Sequence, residues 1–259
     1  MTTPALAHTT SQGHRSYTWA GRSYPSVTAV LAGGIPKPGL SRWAAGQAAA
    51  YAVANLSRLA ALPADQAAAE IRRAPWQARN HAAGLGDLVH AQIEAHVTGQ
   101  ACPPVPDEHA EQVLALLDGF ARFERDHRPD WLAAEQTVFS DTHGYAGTFD
   151  LLSRLDGQPG VALLDVKTGG RIYPEVAVQL AAYAHADFIG HPDGTTSILP
   201  AISSGLVLHL RPGGYELHPV PIDEEVFAAF LAALGVFRWA SERAPGILPQ
   251  PAAGGGGGR

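Results

Sequence analysis

The sequence predicts an α/β protein of the α+β type, with helices packed against a central β-sheet. Residues 131–139 form a long strand-like run. Residues 144–155 and 161–168 are two further runs, and the Asp, Gly and Pro residues between them are typical of a hairpin turn. A second hairpin is predicted at residues 205–211 and 215–220. The other long segments space their apolar residues as helices do.

Composition excludes several classes of protein. The chain has 259 residues, enough for one large domain or two small ones. Its formal net charge is −6, from 18 basic and 24 acidic residues, so it lacks the overall positive charge of proteins that coat nucleic acid. The single cysteine, Cys102, excludes an intramolecular disulfide and a four-cysteine zinc or iron–sulfur site.

Signals for membrane insertion and export are missing from the sequence. No apolar run reaches the roughly 18 residues that a membrane-spanning helix needs. Residues 1–15 lack the apolar stretch of a secretory signal peptide. We therefore expect a cytoplasmic protein with no membrane partner.

The N-terminal part is predicted to be a small cap. Residues 1–15 are polar and expected to be disordered. Residues 16–75 should form a hairpin at residues 17–24 and a group of helices, the first of them capped by Ser26. Those helices are predicted at residues 27–33, 39–59 and 64–73, with Pro75 ending the last.

The side chains of this cap suggest packing more than chemistry. Trp43, Ala50 and Val53 are expected to face inward. Four arginines have two equally good interpretations, contact with phosphate or a solvated face: Arg42, Arg72, Arg73 and Arg79.

A long helix at residues 76–97 opens the main domain, which is predicted to span residues 76–244. Gly84 and Gly86 each cost such a helix roughly 1 kcal/mol relative to Ala, which indicates a kink or a close backbone approach. His90 and Glu94 follow Gly86 at intervals of four residues and share its face. Further helices are predicted at residues 107–127, 174–190 and 224–243, before a flexible Pro- and Gly-rich tail at residues 245–259.

The central hairpin carries charged side chains inside apolar runs. Asp150 lies in the first run, and Asp165 and Lys167 lie on one face of the second. Carboxylates in such a setting need compensation, and Mg²⁺ prefers oxygen ligands of this kind. The alternative is a structural salt bridge between Asp165 and Lys167. The chain has only two lysines among its 18 basic residues, so a lysine here favours a chemical role.

Four motifs occur in an order that resembles the PD-(D/E)XK nuclease superfamily, in particular its RecB-like exonuclease branch. They are GDLVH at residues 86–90, GTFD at 147–150, LLDVKTG at 163–169 and QLAAY at 179–183. The resemblance covers roughly residues 80–190 and extends to the N-terminal helices, which look like those of phage and prophage members. It implies a restriction-endonuclease-like core, with a central mixed β-sheet flanked by helices and a helical N-terminal extension.

The resemblance also implies roles for individual residues. His90, Asp150, Asp165 and the carbonyl of Val166 would bind one or two Mg²⁺ or Mn²⁺ ions. Lys167 would position or activate the attacking water, with Asp150 and Asp165 completing the catalytic set. The other residues would be supporting or DNA-contacting: Glu135 (alternatively a ligand of a second metal), Gln179, Tyr183 and Glu94.

The expected activity is metal-dependent hydrolysis of DNA, as an exonuclease of phage or prophage recombination or repair. The partners would be linear duplex or single-stranded DNA ends, with any recombinase or helicase on a separate chain. Cys102 stands alone, so the iron–sulfur cluster of some relatives is not expected. The alternatives are an endonuclease on the same core, a non-catalytic DNA-end-binding protein, and a structural protein whose motifs only pack.

Overall fold

The computed structural model describes residues 6–11 and 14–247, and its centre is a seven-stranded mixed β-sheet. The strand order is β10-β9-β6-β5-β4-β7-β8, and a smaller sheet has the order β1-β2-β3. The β6–β9 pair is parallel, whereas its neighbours are antiparallel. The strands of the large sheet are β4 (Asp130–Ser140), β5 (Tyr145–Arg154), β6 (Val161–Lys167), β7 (Phe188–Gly190), β8 (Thr196–Ser197), β9 (Ile202–Arg211) and β10 (Gly214–Val220). Those of the small sheet are β1 (Leu6–Ser11), β2 (His14–Trp19) and β3 (Arg22–Pro25).

Helices cover both faces of the large sheet, which confirms the predicted mixed sheet flanked by helices. They are α1 (Val27–Gly34), α2 (Pro38–Ala54), α3 (Leu56–Ala60), α4 (Ala64–Thr98), α5 (Asp107–His127), α6 (Glu175–Ala184) and α7 (Glu224–Arg238), and short π and 3₁₀ turns follow at Trp239–Arg243 and Ala244–Gly246. Helices α1, α6 and α7 share one apolar core with the sheet, around Phe149, Leu180 and Phe230. Helices α4 and α5 form the other core, around Val89 and Phe123. The sheet therefore lies between two apolar cores. The ends of its strands lie between the same two cores.

The small sheet packs against the large one through aromatic side chains, and Ser26, which follows β3, caps helix α1. Tyr17, Trp19 and Tyr24 are buried against Phe139 of β4. As predicted, Ser26 caps α1, since its Oγ accepts a hydrogen bond from the backbone N–H of Ala29 at 3.0 Å. This places β2 and α1 against β5.

The N-terminal segment is more ordered than predicted. Residues 1–15 were expected to be disordered, but Leu6–Ser11 form β1 and residues 14 and 15 begin β2. The strand is paired along its length with β2, which supplies the hydrogen bonds that composition alone does not reveal. The rest of that expectation, residues 1–5, 12 and 13, and most of the predicted tail, residues 248–259, lie outside the described residues.

The break predicted at Pro75 is wrong, because α4 runs unbroken from Ala64 to Thr98. A proline inside a helix removes one backbone hydrogen bond and costs roughly 3 kcal/mol. Ala74 beside it is buried, and Tyr51 of α2 hydrogen-bonds Glu70 one turn earlier at 3.0 Å. Tertiary contacts on this side of α4 offset the lost bond, so the helix continues through the predicted boundary between residues 75 and 76.

Two other helices end earlier than predicted. The helix expected at residues 39–59 breaks at Asn55, whose side-chain amide donates to the Tyr51 carbonyl at 2.9 Å. The helix expected at residues 174–190 ends at Ala184. The last residues of that segment form β7 instead, because the Asp187 N–H donates to the Phe139 carbonyl at 2.8 Å and starts the pairing with β4.

The inward positions predicted on α2 are also wrong. Trp43 and Val53 are 36 % and 78 % exposed, and Ala50 is exposed as well. An alanine-rich helix is apolar all round, so its periodicity does not select a buried face. In the described part of the chain, no helix combines the length and the apolar character that crossing a membrane requires.

Candidate metal centre

Three acidic side chains stand in a row across three adjacent strands. In β4 and β5, Ala134 pairs with Leu151 and Gln136 with Phe149, so Glu135 lies opposite Asp150. In β5 and β6 the last pair is Leu151 with Leu164, so the next residues, Asp150 and Asp165, lie opposite each other. The register of the sheet thus brings together acids that are 15 residues apart in sequence.

The backbone pairing of β5 with β6 ends at this row of acids. The side chain of Asp150 then supplies the next hydrogen-bond acceptor for β6. Asp150 Oδ2 accepts a hydrogen bond from the backbone N–H of Val166 at 2.7 Å. The carboxylate replaces the carbonyl that a continuing ladder would supply, so the Val166 N–H keeps a hydrogen-bond partner. Beyond this point the two strands separate, which opens space beside the acids.

Glu135 has a backbone conformation that is rare in a strand. Its φ is 49°, in the left-handed region that residues other than glycine seldom adopt. Such a conformation costs a residue with a Cβ roughly 1–2 kcal/mol, and strained residues concentrate at functional sites. The side chain of Glu135 is 29 % exposed and faces His90.

His90 reaches the row of acids from α4. Its Nε2 hydrogen-bonds the Val166 carbonyl at 3.1 Å, with the ring N–H as donor. Its Nδ1 lies 3.5 Å from Glu135 Oε1 and 3.7 Å from Asp150 Oδ2. Gly86 precedes it by one turn, and a Cβ there would lie 3.3 Å from Thr168 Oγ1. The neighbour at Gly86 is therefore a side chain at the end of β6, whereas nothing lies within 4 Å of a Cβ added at Gly84, so no close approach explains that second glycine.

Asp165 is engaged differently from Asp150. Its Oδ2 forms an ion pair with Lys167 Nζ at 2.5 Å, and its Oδ1 accepts a hydrogen bond from Gln179 Nε2 at 2.8 Å. Gln179 also hydrogen-bonds Tyr183 one turn further along α6. The Asp165 side chain is only 2 % exposed, whereas that of Lys167 is 37 % exposed. The lysine therefore spans from a buried acid to the open cavity.

All the predicted site residues line one cavity of about 570 Å³. They are His90, Glu94, Glu135, Asp150, Asp165, Val166, Lys167, Gln179 and Tyr183. Tyr183 is buried at its inner wall, where its ring lies against Gly147 so closely that a Cβ would not fit.

Sequence reasoning missed several other lining residues. Asp87 of the GDLVH motif and Thr148 of the GTFD motif also line the cavity, although no role is predicted for either. Thr148 hydrogen-bonds Tyr17 at 3.0 Å and Thr137 at 3.1 Å, which ties the small sheet to the cavity wall. Arg15 also lines the cavity. No signal pointed to it, because it lies in the segment expected to be disordered.

Burial and mutual charge shift the protonation of the cluster. Desolvation raises the pKa of Asp165 to about 6, against the opposing charge of Lys167, and it also raises the pKa of Asp150. Desolvation lowers the pKa of His90, but the charges of Asp150 and Glu135 outweigh it and raise that pKa to about 9. Desolvation also raises the pKa of Glu94, with a contribution from Glu135. Burial therefore opposes ionisation of both aspartates more than the charges of Lys167 and His90 favour it.

Two groups of side chains among the described residues could hold a metal ion. The first is His90, Glu135 and Asp150, whose ligand atoms lie within 4.8 Å of one another. It differs from the predicted ligand set, because Glu135 takes the place of Asp165, and the Val166 carbonyl accepts a hydrogen bond from His90. The second group is His209, Glu216 and His218 on β9 and β10.

Comparison with known proteins adds little to this geometry. No family model matches the chain, and no curated protein matches it. A solved structure described as "Crystal structure of SSO0001" is similar over 61 % of this chain and 76 % of that chain, with 15 % identity and a TM-score of 0.31. This likeness is too distant to bear on fold or function.

Proposed function

We propose that the chain is a divalent-metal-dependent DNA nuclease of the PD-(D/E)XK superfamily, RecB-like branch, which hydrolyses phosphodiester bonds at DNA ends in the cytoplasm. The observation that carries this proposal is the gathering of an imidazole, three carboxylates and an ammonium group in one cavity. They come from α4, β4, β5 and β6. A protein that only packs its motifs has no need to gather such a set of charges beside a buried carboxylate.

The donors of the cavity fit a hard divalent cation. Glu135 and Asp150 offer carboxylate oxygens, and His90 offers Nδ1 if it gives up its proton. Mg²⁺ and Mn²⁺ prefer oxygen-rich sites of this type, and Asp165 could contribute if Lys167 moved away from it. When bound, such an ion lowers the pKa of a coordinated water and neutralises charge on the phosphate.

Lys167 is suited to act on the phosphate without occupying a metal-ligand position. Its ammonium group is anchored by Asp165 and reaches the cavity, so it can stabilise the negative charge that develops on the phosphate oxygens. Asp165 raises the pKa of Lys167 against the effect of desolvation, which keeps the lysine protonated. Gln179 donates a hydrogen bond to the other oxygen of Asp165 and thereby orients the carboxylate toward Lys167.

Surface groups near the N-terminal helices offer contacts for DNA. The four arginines with two interpretations, Arg42, Arg72, Arg73 and Arg79, are all exposed. Trp76 and Tyr173 are 64 % and 49 % exposed, and the guanidinium groups of Arg79 and Arg171 lie 5.5 and 6.0 Å from their ring centroids. Exposed aromatic rings with neighbouring arginines are typical of surfaces that stack unpaired bases.

Digestion of linear and covalently closed circular DNA tests this proposal. The protein is incubated with each substrate in Mg²⁺, Mn²⁺ or EDTA. We expect loss of linear DNA only, dependent on the metal and abolished by the chelator. Nicked or linearised circles would instead assign an endonuclease on the same core.

A binding assay separates the non-catalytic alternative. DNA that is shifted in a gel but remains intact with either metal would overturn the nuclease assignment in favour of an end-binding protein. Absence of both binding and cleavage would overturn any role on DNA.

A further inference from the structure

The second group of metal-ligating side chains lies on the β9–β10 hairpin, outside the cavity described above. His209 and Glu216 are direct partners in the antiparallel register, and His218 follows Glu216 by two residues on the same face. Glu216 Oε2 lies 3.4 Å from His209 Nδ1 and 3.2 Å from His218 Nε2. The carboxylate therefore sits between two imidazoles.

The hydrogen bond that His209 makes through Nε2 leaves Nδ1 directed at the carboxylate of Glu216. Its side chain is only 2 % exposed, and its Nε2–H donates a hydrogen bond to the Gly169 carbonyl at 2.6 Å. In the neutral imidazole the lone pair is then on Nδ1, which points to Glu216. Donation of the second ring N–H to a backbone carbonyl is the arrangement that orients metal-ligating histidines.

The distances around Glu216 are also compatible with a shared metal ion. His218 Nε2 hydrogen-bonds Glu216 Oε2 at 3.2 Å, and His209 Nδ1 lies 3.4 Å from the same oxygen. Two ligands of a tetrahedral Zn²⁺ at about 2.1 Å are separated by about 3.4 Å. All three ligand atoms lie within 4.8 Å of one another. His218 is 46 % exposed and can close the remaining distance by rotation of its side chain.

We propose that His209, Glu216 and His218 form a three-ligand site for a borderline divalent metal of the Zn²⁺ class. Two imidazoles and one carboxylate suit Zn²⁺, Co²⁺ or Ni²⁺ better than Mg²⁺, which prefers oxygen. The strand β10 lies at the edge of the sheet, and Glu216 is 51 % exposed, so a fourth position faces solvent. This site does not depend on the function proposed for the cavity.

Surrounding charges shape this site without blocking it. Arg211 Nε lies 3.8 Å from Glu216 Oε1, the carboxylate oxygen that does not face the histidines. The arginine can therefore hold Glu216 in place while the other oxygen binds the metal. On the neighbouring strand β6, Lys167 is the register partner of His209, but its ammonium group pairs with Asp165.

The site is linked to the loop that follows Lys167. His209 anchors the carbonyl of Gly169, and both Thr168 and Gly169 line the cavity of the candidate metal centre. A metal on Nδ1 fixes the ring of His209 and so restrains this loop. The hairpin site thus lies behind the wall of the cavity and is coupled to its loop through His209.

Zn²⁺ binding to full-length protein tests the inference. The background is a His90→Gln/Asp150→Asn variant, which removes two donors of the cavity. Zn²⁺ is titrated against a chromophoric chelator, and Co²⁺ is added separately to record its visible absorption. We expect one equivalent of Zn²⁺ and a Co²⁺ spectrum of tetrahedral type. His218→Ala or Glu216→Gln should weaken binding roughly tenfold or more, because each removes one of three ligands.

His191→Ala is the matched control, since that histidine hydrogen-bonds Ser197 of β8, at the opposite edge of the sheet from β10. It should bind Zn²⁺ like the background protein. A backbone amide NMR spectrum should show Zn²⁺-induced shifts at Gly169 that disappear with His218→Ala. Equal Zn²⁺ affinity of the background, His218→Ala and Glu216→Gln proteins would overturn the inference, as would equal weakening by His191→Ala, which indicates adventitious binding to surface histidines.

Discussion

Glu135 lies opposite Asp150 across the β4–β5 pair, and it does so with a φ of 49°. The residue at this point of the strand therefore carries a backbone strain that glycine would avoid. Its neighbour across the pair is the acid that accepts the Val166 N–H, and both acids face His90. Backbone strain and a charged side chain therefore occur at the same residue, Glu135. Two substitutions that both remove the charge, but of which only one relieves the strain, can separate their effects.

Replacing Glu135 by Gly should stabilise the metal-free protein relative to Glu135→Ala. Both variants lose the carboxylate, but only glycine adopts a positive φ without a steric penalty, so we expect a difference of roughly 1 kcal/mol in the free energy of unfolding. Urea denaturation in EDTA measures it. If the alanine variant were the more stable of the two, the strain at this position would be refuted.

Both Glu135 variants should bind Mn²⁺ more weakly than the unmodified protein. One of the three ligand side chains is removed in each case, and the backbone difference does not restore it. Calorimetric titration with Mn²⁺ measures the loss. Unchanged affinity in both would exclude Glu135 from the ligand set.

Lys167→Ala should reduce DNA cleavage by roughly 10²–10³-fold, the loss typical of removing one charge-stabilising donor. DNA binding should remain, because the exposed arginines are untouched. Lys37→Ala is the matched control, as it removes the other lysine, which forms a surface ion pair with Glu175 at 3.3 Å. Circular dichroism checks that both variants fold. Cleavage by Lys167→Ala at the rate of Lys37→Ala would refute the assigned role.

His90 should titrate with a pKa of about 9 in the metal-free protein. Desolvation opposes protonation, but the charges of Asp150 and Glu135 favour it, so this protonation stabilises the fold. That contribution is complete below the unfolded pKa of about 6.5 and is lost as the pH rises through 9. An NMR titration of the imidazole in EDTA measures the value, and Asp150→Asn should lower it. A pKa at or below 6.5 in the unmodified protein would contradict this electrostatic account.

Gly147→Ala should destabilise the protein by roughly 1–3 kcal/mol, the range for overpacking a filled core. The added Cβ would overlap the ring of Tyr183 and lie 3.1 Å from Val27 Cγ2. Gly84→Ala is the control, since nothing lies within 4 Å of its added Cβ and alanine favours a helix by roughly 1 kcal/mol. Urea denaturation should move the two midpoints in opposite directions. A Gly147→Ala protein as stable as the original would contradict the tight packing at the inner wall.

The sequence located the strands of the candidate metal centre and most of its charged side chains, but it assigned Asp165 the ligand position that Glu135 occupies. The turn between residues 155 and 161 and the motif order located Asp150, Asp165 and Lys167, and the i, i+4 spacing placed Gln179 above Tyr183. Turn residues, helical spacing and the order of motifs can all be recognised in a single sequence.

Features that depend on distant contacts were not predictable in the same way. The continuity of α4 through Pro75 depends on contacts with α2, and β7 exists because it pairs with β4. Arg15 lines the cavity only because β2 is held by its neighbours. The left-handed backbone of Glu135 leaves no trace in sequence, since glutamate is not a residue that favours it.

The most direct test of the central claim is the anomalous difference density of crystals soaked in Mn²⁺. The claim is that His90, Glu135 and Asp150 hold a divalent cation beside Lys167. It predicts a Mn²⁺ peak between those three side chains, which EDTA removes and Asp150→Asn weakens. A fully soaked crystal with no peak in this cavity would contradict the claim.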